Sequence, residues 1–336
     1  MIHSNFILIL FVILNTVLVI NFSKIKFFSI NIDKPDKIRK FHIKPTPLAG
    51  GQIIYMNILF YWILLTSFEN LIVEEVFFRD FKSLHYFMIA SSAIFLLGFI
   101  DDRFNLKPNI KFLCLLIIIF FLLSIEKELI IEVVNFSFYK KEIFLNKFSI
   151  FFSVFCFLVF INAFNMFDGI NLQSSLYSLF ILFCLTVFFS NSLILNILIL
   201  SLISFSYLNF KNKTFLGDSG SLFLAFLISF FFIKFYNLDY IVFADEIVLY
   251  MIIPGLDLIR LFFLRILNKK NPLSSDRLHI HHLLISKYNL INSLTIILTL
   301  VGLPVVASYF FIDVFYAILI SIFSYSFLII YLSRKN

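Results

Sequence analysis

The chain is dominated by apolar segments that are long enough to cross a lipid bilayer. A helix needs about 20 predominantly apolar residues to cross the hydrocarbon core, with roughly 17–25 tolerated. Eleven segments meet or approach this length, and they are residues 2–22, 46–67, 84–100, 110–125, 148–163, 174–190, 192–208, 219–236, 244–266, 293–310 and 313–332. Only Ser190-Asn191-Ser192 separates the sixth segment from the seventh, so ten spans are the alternative. The pattern predicts an all-α polytopic membrane protein with about 10–11 transmembrane helices.

Composition supports the membrane interpretation. Hydrophobic residues make up 61% of the 336 residues and charged residues 14%, whereas an ordinary soluble domain has about 45–50% and 25%. The first apolar segment lacks a basic leader and a cleavage site, so we expect it to be retained. No internal repeat is visible, and residues 1–336 are expected to form a single integral-membrane domain. Strand-like alternation over residues 136–145 predicts one hairpin outside the membrane.

Loop charges predict the orientation of the helices. Lys and Arg accumulate in cytoplasmic loops, and 20 of the 27 lie in odd-numbered loops or at the C-terminus. The N-terminus is therefore expected outside and the C-terminus inside. The same rule explains the net charge of +7, so no nucleic-acid partner is expected. All eight Glu residues fall on the outer side, whereas the cytoplasmic acids are all Asp: Asp33, Asp36, Asp101, Asp102, Asp168, Asp218, Asp257 and Asp276.

The first cytoplasmic loop carries seven basic residues, followed by a Pro-Thr-Pro turn and the pair Gly50-Gly51. Lys44 and its basic neighbours could hold a phosphate, while the glycines allow a backbone or headgroup to approach closely. The alternative is a juxtamembrane loop that sets orientation and contacts anionic lipid.

Two adjacent carboxylates, Asp101 and Asp102, follow the apolar segment that ends near Gly98. Each acid is costly near hydrocarbon, and their mutual repulsion adds to the cost. A cation or a shared proton would relieve that cost. Alternatively, both acids face water with Arg103 as their partner.

Asn162, Asn165 and Asp168 recur at intervals of three residues and share one stripe if their helix continues to Gly169. Buried amides need hydrogen-bond partners, so the stripe predicts a polar ligand or a second polar stripe. Packing against another helix is the alternative.

The segment from Thr214 to Ser221 opens the next apolar helix. Asp218 or Ser219 can cap this helix, whose free N–H groups and dipole favour an anion. Because Asp218 would itself add negative charge there, a metal bridging Asp218 to a phosphate on those N–H groups satisfies both. Capping alone is the alternative.

The largest cytoplasmic loop contains Asp276-Arg277-Leu278-His279-Ile280-His281-His282. Zinc binding is one interpretation, but no Cys is nearby, and the other cytoplasmic candidates are Asp residues that suit Mg²⁺ better. The His residues can also bind diphosphate oxygens or shuttle protons. Because all five polar clusters share one predicted face, we expect one shared site for a hard cation or phosphate chemistry.

These segments, in this order, resemble the polyprenyl-phosphate N-acetylhexosamine-1-phosphate transferases of glycosyltransferase family 4. That group includes the enzymes that start O-antigen, common-antigen and teichoic-acid synthesis, and the phospho-MurNAc-pentapeptide translocase. The O-antigen type is the more similar. The last two helices, about 293–332, lie beyond the motif region, whose segments are DKPDKIRKFHIKPTPLAGG, GFIDD, NAFNMFDGIN, FLGDSGS and DRLHIHHLL.

The resemblance implies a reaction in which a UDP-N-acetylhexosamine and polyprenyl (undecaprenyl) phosphate give a polyprenyl-diphospho-sugar and UMP. The product would begin a lipid-linked cell-surface glycan, and the enzyme would be a multi-pass protein of the bacterial inner membrane. Mg²⁺ is the implied cofactor, with Mn²⁺ as an alternative. The acceptor must sit at the membrane boundary because its tail stays in lipid.

The resemblance also implies roles for individual residues. Asp218 is the implied metal ligand, and Asp101 is expected to deprotonate or position the lipid phosphate. The implied catalytic residues are Asp101, Asp102, Asp168 and His281. Those expected to bind substrate are Lys44, Asn165, Phe215, His279 and His282, with the Phe215 ring stacked on uracil.

Two positions depart from the family pattern. The second Asp that often follows Asp168-Gly169 is Asn171, and the next residues are Leu172-Gln173 rather than Gly-Leu. The stretch 209–215 lacks the Pro-Ala often found there. The role of a fourth carboxylate and the wall of the uridine pocket are therefore open.

Phosphoryl transfer needs mainly positioning and neutralisation of spread negative charge, so direct attack and a covalent Asp intermediate are both open. A secondary transporter is the alternative function, but transporter sites tend to lie near the midplane between repeated halves. Here the acids are predicted at one boundary. The identity of the sugar and the formation of a homodimer are also open.

Overall fold

The structure is a computed structural model that describes residues 2–35, 44–67, 76–269 and 277–334. Over these ranges the chain forms twelve α-helices. They are α1 (Ile2–Ile20), α2 (Gly50–Ser67), α3 (Phe81–Phe104), α4 (Pro108–Ile125), α5 (Ser149–Phe167), α6 (Gln173–Cys184), α7 (Leu193–Phe210), α8 (Gly217–Asn237), α9 (Ala244–Leu267), α10 (Ile280–Lys287), α11 (Leu290–Phe310) and α12 (Val314–Ser333). A π-helical turn, Leu185–Phe189, continues α6.

Each of the eleven predicted spans coincides with one of these helices, and the all-α polytopic class is confirmed. Within the described ranges, eight helices are long and apolar enough to cross a membrane. Shorter apolar stretches occupy Asn5–Ile20 and Gln173–Phe189. The remaining predicted span corresponds to α2, which has 18 residues and is not among the eight. The additional helix, α10, has only eight residues and was not among the predicted spans. The orientation of the helices stays a prediction.

Two helix ends differ from the predicted ones. α3 continues to Phe104, so Asp101 and Asp102 lie in its last turn rather than after it. α5 ends at Phe167, because Asp168, with ψ of 85°, takes the chain out of the helix, so the condition that the helix continues to Gly169 is not met. The predicted stripe of polar residues is thus interrupted at its last member.

The chain packs as two compact units, each made of two segments. The first unit comprises Met1–Lys107 and Ser178–Ile228, and the second comprises Pro108–Tyr177 and Ser229–Asn336. α8 supplies residues to both units, and the stretch of α8 that could span a membrane is entirely buried. That residues 1–336 form a single integral-membrane domain stays a prediction.

In the first unit, α1 and α2 pack on α7, and α2 also packs on α3. Asn15 of α1 donates from Nδ2 to Oδ1 of Asn57 in α2 at 2.7 Å, so these buried amides satisfy each other. Two short antiparallel strands, β1 (Ile32–Asp33) and β2 (Thr46–Pro47), bring together the two ends of the first basic loop.

In the second unit, α9 packs against α5, α11 and α12, while α10 packs on α11 and α12. Strands β3 (Val133–Phe136) and β4 (Tyr139–Phe144) form an antiparallel hairpin, as predicted from the alternation over residues 136–145. The hairpin is fixed to the start of α9, because the Asp245 carboxylate accepts hydrogen bonds from the N–H (3.0 Å) and the hydroxyl of Ser137.

Candidate functional site

The predicted site residues fall in both units. The first unit contains Lys44, Asp101, Asp102, Phe215 and Asp218. The second unit contains Asn165, Asp168, His279, His281 and His282. Residues 36–43 of the basic loop and Asp276 lie outside the described residues.

Asp102 caps the first turn of α8. Its carboxylate accepts hydrogen bonds from the backbone N–H groups of Asp218 (2.6 Å) and Ser219 (3.0 Å). An acid in the last turn of α3 is unfavourable at the negative end of that helix, and the positive end of α8 offsets the cost. Gly217 has a φ of 73°, and a Cβ atom there would lie 2.7 Å from Asp102 Oδ2, so this turn requires glycine.

The same contact corrects one prediction. The N–H groups at the start of α8 were expected to hold a phosphate, but they hold the Asp102 carboxylate instead. Asp218 is therefore not needed as the cap of its own helix. Two carboxylates meet at one helix N-terminus, and such a pair is stabilised by a cation.

Glycines let α2 and α3 approach the start of α8. A Cβ atom on Gly98 would lie 2.5 Å from both Asp218 O and Ser219 Cα, and one on Gly51 would lie 2.6 Å from Ser219 C. Gly51 was expected to let a backbone or headgroup approach closely, and the structure shows the backbone of α8 there. Small residues have this role at the interfaces of membrane helices.

Asp101 closes the turn that follows α3. Its side chain is buried, and Oδ1 accepts a hydrogen bond from the N–H of Leu106 at 2.7 Å. Asn105, with a φ of 50°, donates its own N–H to the carbonyl of Asp101 at 2.8 Å. These two bonds fix the Asp101 side chain relative to the end of the helix.

The segment around Phe215 is hydrogen bonded to the Pro-Thr-Pro segment, so two separately predicted motifs are joined. Phe215 N–H donates to Pro47 O (2.9 Å), and Gly50 N–H donates to Phe215 O (3.0 Å). Thr214, which the sequence interpretation missed, is fully buried, and its hydroxyl donates to Pro47 O (3.0 Å). The half-buried Phe215 is thus held by its backbone, while the exposed Lys44 precedes the same segment.

In the second unit, Asn165 lies near the end of α5 and accepts a hydrogen bond from Lys111 Nζ at 3.5 Å. Lys111 was also missed, although a lysine inside an apolar helix is itself a signal of function. Asn162 behaves differently, because its amide donates to the carbonyl of Leu158 within its own helix at 2.7 Å.

Leu172 explains one departure from the family pattern. Its φ is 69°, in the left-handed region that favours glycine. A residue with a side chain is destabilised there by about 1–2 kcal/mol. The chain therefore keeps the turn that a glycine accommodates in the family pattern.

His281 lies directly against Gly169, which joins the Asp168-Gly169 motif to the histidine motif. A Cβ atom on Gly169 would overlap the imidazole of His281. Burial lowers the pKa of His281 well below its usual 6.5, and the neighbouring His282 and His279 lower it further, so the ring is neutral at pH 7. The rings of His279 and His281 are parallel, with centroids 5.4 Å apart, and His282 meets His281 edge-on at 4.3 Å.

A residue that the sequence interpretation did not assign to the site, Asp257 of α9, anchors His279. Asp257 Oδ2 lies 2.8 Å from His279 Nδ1, and both side chains are buried. A charged residue inside an apolar helix was the available signal. Its partner could not be identified from spacing, because 22 residues separate the two.

No group of three His, Cys, Asp or Glu side chains that could hold a metal converges in the described ranges. Mg²⁺ typically takes one or two protein carboxylates and completes its shell with water and substrate phosphates. The pair of acids at the start of α8 fits that smaller requirement.

The model of the glycosyl transferase family 4 matches residues 84–236, a range that includes Asp101, Asp102, Asp168 and Asp218. Curated relatives are similar over three quarters of this chain. An undecaprenyl-phosphate alpha-N-acetylglucosaminyl 1-phosphate transferase of Thermotoga maritima is 29% identical over 255 residues, covering 75% of this chain and 72% of the relative. Proteins of the same name from Salmonella typhi and Escherichia coli are 27% identical, covering 75% of this chain and 68% of each relative.

Proposed function

We propose that the chain is a member of glycosyl transferase family 4 that transfers N-acetylhexosamine 1-phosphate from a UDP-sugar to undecaprenyl phosphate and releases UMP. It is a phosphosugar transferase and a multi-pass protein of the bacterial inner membrane. The lipid diphosphate product would begin a cell-surface glycan.

The observation that carries the proposal is the meeting of Asp102 and Asp218 at the first turn of α8. A phosphate monoester that attacks a diphosphate brings several negative charges together, so the reaction requires neutralisation and positioning more than covalent help. Short carboxylates at this helix end would supply oxygen ligands for a cation that can offset this charge. Asp101, fixed by Leu106, would position or deprotonate the attacking lipid phosphate.

Asp218 would hold Mg²⁺, which when bound supplies charge neutralisation at the phosphate oxygens. Mn²⁺ prefers similar oxygen ligands and would substitute. Asp102 would keep Asp218 in place by holding its backbone N–H. The Asp102 carboxylate thus contributes to the site even without touching the substrate.

Each unit contains residues that would be candidates for binding the UDP-sugar. Phe215, whose backbone is fixed by Pro47 and Gly50, would stack on uracil. Lys111 and Asn165 would bind a polar part of the donor, with Asp168 following at the end of α5. The family resemblance implies diphosphate binding for Lys44 of the first unit and for His282 of the second. The neutral His281 could accept or donate a proton.

The placement of the acids also argues against a secondary transporter. Transporter sites use discontinuous helices near the middle of the membrane. Asp102 instead lies in the last turn of α3 and Asp218 in the first turn of α8, so both are at helix ends.

The experiment is a transferase assay with the chain purified in detergent. Undecaprenyl phosphate and Mg²⁺ are mixed in turn with UDP-N-acetylglucosamine, UDP-N-acetylgalactosamine and UDP-MurNAc-pentapeptide, and UMP and the lipid product are measured together. We expect equal amounts of both products with at least one donor. Absence of product with every donor and with Mg²⁺ or Mn²⁺ would refute the proposed function.

Two variants test the metal site. Asp218→Asn keeps the size of the side chain and should reduce turnover by at least about 100-fold while weakening the Mg²⁺ dependence. Asp239→Asn is the matched control, because Asp239 is exposed beyond the other end of α8, about 30 Å away along the helix. Equal activity in the two variants would exclude Asp218 as the metal ligand.

A further inference from the structure

Asp257 forms a buried network with residues from three parts of the second unit. It is 2% exposed, and its Oδ1 lies 2.7 Å from Arg260 Nη2 and accepts from the Tyr325 hydroxyl at 2.8 Å. Arg260 also donates from Nε to the Tyr325 oxygen at 2.9 Å. A carboxylate inside a membrane helix is costly unless it is paired and hydrogen bonded, and these contacts meet that need.

The same carboxylate holds the start of α10. Asp257 Oδ2 accepts from His279 Nδ1 at 2.8 Å, and Oδ1 accepts from the backbone N–H of Ile280 at 3.3 Å. Arg260 Nη2 adds a hydrogen bond to the carbonyl of Leu278 at 2.6 Å. The two backbone groups that flank His279 are therefore tied to α9.

Both ring nitrogens of His279 face protein partners. Because Asp257 accepts at Nδ1, that nitrogen carries the proton, and Nε2 is an acceptor, 3.4 Å from Arg265 Nη2. His281 differs, since its Nδ1 is buried and hydrogen bonds to no residue that the structure describes. The rings of His279 and His281 are parallel, with centroids 5.4 Å apart, so His279 is placed to constrain the orientation of His281.

We propose that Asp257, Arg260 and Tyr325 form a clamp that holds His279 and, through His279, positions His281 for the transferase reaction. The inference rests on the proposed function. It makes His279 a positioning residue, in place of the substrate-binding role that the resemblance implied. It also gives a function to α12, which carries Tyr325 and lies beyond both the motif region and residues 84–236 of the family match.

Two substitutions of His279 separate the clamp from a direct role. His279→Asn places an amide N–H near the position of Nδ1 and can still donate to Asp257, whereas His279→Gln places its amide near the position of Nε2. We expect His279→Asn to keep turnover within about 10-fold of the wild type, while His279→Gln falls by about 100-fold, the range seen when orienting partners are removed. Higher activity in the Gln variant than in the Asn variant would mean that Nε2 acts on the substrate, and would overturn the proposal.

Asp257→Asn and the double variant Asp257→Asn/His279→Gln test whether the two residues act together. We expect the single Asp257 variant to lower kcat about 10-fold or more with less than about a 3-fold change in the KM of the UDP-sugar. The kcat of the double variant should be no more than about 2-fold below that of His279→Gln, because His279→Gln alone already removes the contact that Asp257 makes. Multiplicative losses would show independent roles and refute the clamp.

Amide hydrogen exchange gives a readout that does not depend on the reaction. Asp257→Asn and Tyr325→Phe should speed exchange in residues 278–287, because the Ile280 N–H loses or loosens its acceptor. Asp245→Asn is the matched control, since Asp245 is equally buried in α9 but binds Ser137 of the hairpin. Unchanged exchange in 278–287 would refute the clamp even if the chain transferred no sugar, whereas an inactive wild type with the expected exchange would refute only the proposed function.

Discussion

Gly98→Ala should disable the site with little loss of stability. Gly98 lies in α3 beside the start of α8, and a Cβ atom there would lie 2.5 Å from Asp218 O and Ser219 Cα, whereas ordinary contacts begin at 3.4 Å. The obstructing atoms belong to the backbone of α8, so no side chain can rotate away. The two helices must separate by about 1 Å, as the difference between those contact distances requires.

The magnitudes for stability and activity differ. Overpacking costs about 1–3 kcal/mol, and the better helix propensity of alanine returns about 1 kcal/mol, so the net loss of stability is about 0–2 kcal/mol. A displacement of about 1 Å at a catalytic group can cost about 100-fold in turnover, which corresponds to about 2.7 kcal/mol. The increase in the activation free energy, about 2.7 kcal/mol, should therefore exceed the decrease in the free energy of unfolding.

Gly255→Ala provides the matched control. Gly255 also lies within a membrane helix, α9, but a Cβ atom there would have no neighbour within 4 Å. This variant should match or exceed the wild type in thermal midpoint and retain its turnover. Both proteins would be purified in detergent, with thermal unfolding and UMP release measured on the same preparations. If Gly98→Ala behaved like Gly255→Ala, the close packing of α3 on α8 would not control the site.

Four further outcomes are expected. Phe215→Ala should raise the KM for the UDP-sugar by the equivalent of about 1–3 kcal/mol, on the scale of base–aromatic stacking; a lower kcat at unchanged KM would contradict stacking. Gly169→Ala should displace the His281 ring and lower kcat, and saturating UDP-sugar in the UMP assay should not restore it. Burial keeps the pKa of His281 below its unfolded value of 6.5, so below that pH the unfolded chain binds more protons at this residue than the folded chain does. The contribution of His281 to stability should therefore be constant above about pH 6.5 and decline below it by up to about 1.4 kcal/mol per pH unit. The thermal midpoint followed against pH should show this decline, and His281→Gln should lessen it. Single cysteines at Asn105 and Asn289, in a chain lacking the three native cysteines, should resist impermeant thiol reagents in intact cells, and labelling from outside would reverse the predicted orientation.

The spans and the hairpin were predictable because each depends on local composition. Runs of about 20 apolar residues predict a membrane helix without reference to a partner, and alternation around Lys140 predicts a hairpin in the same way. The positions of the helix ends were harder to predict from the sequence. α3 passes through Asp101 and Asp102 because the start of α8, more than 100 residues further along the chain, supplies backbone N–H donors for the Asp102 carboxylate.

The predicted site motifs were identified by residue type, but their contacts could not be derived from spacing. A helix that is apolar on every face has no amphipathic stripe to show which side meets a neighbour. Several decisive partners are backbone groups, such as the N–H of Ser219 for Asp102 and the N–H of Ile280 for Asp257. Backbone groups carry no residue-specific signal in a sequence.

The acids themselves were nevertheless a signal that something must compensate them. Asp102 stands at the negative end of α3, and Asp257 stands inside an apolar helix, so each breaks a local rule. A sequence that breaks local rules without compensation would be unstable, and functional sites are where such conflicts are retained. In this chain the first turn of α8 compensates Asp102, while Asp257 is compensated both by Arg260 of its own helix and by Tyr325 of α12. The acids therefore do more than supply charge, since each one also fixes the position of a second motif.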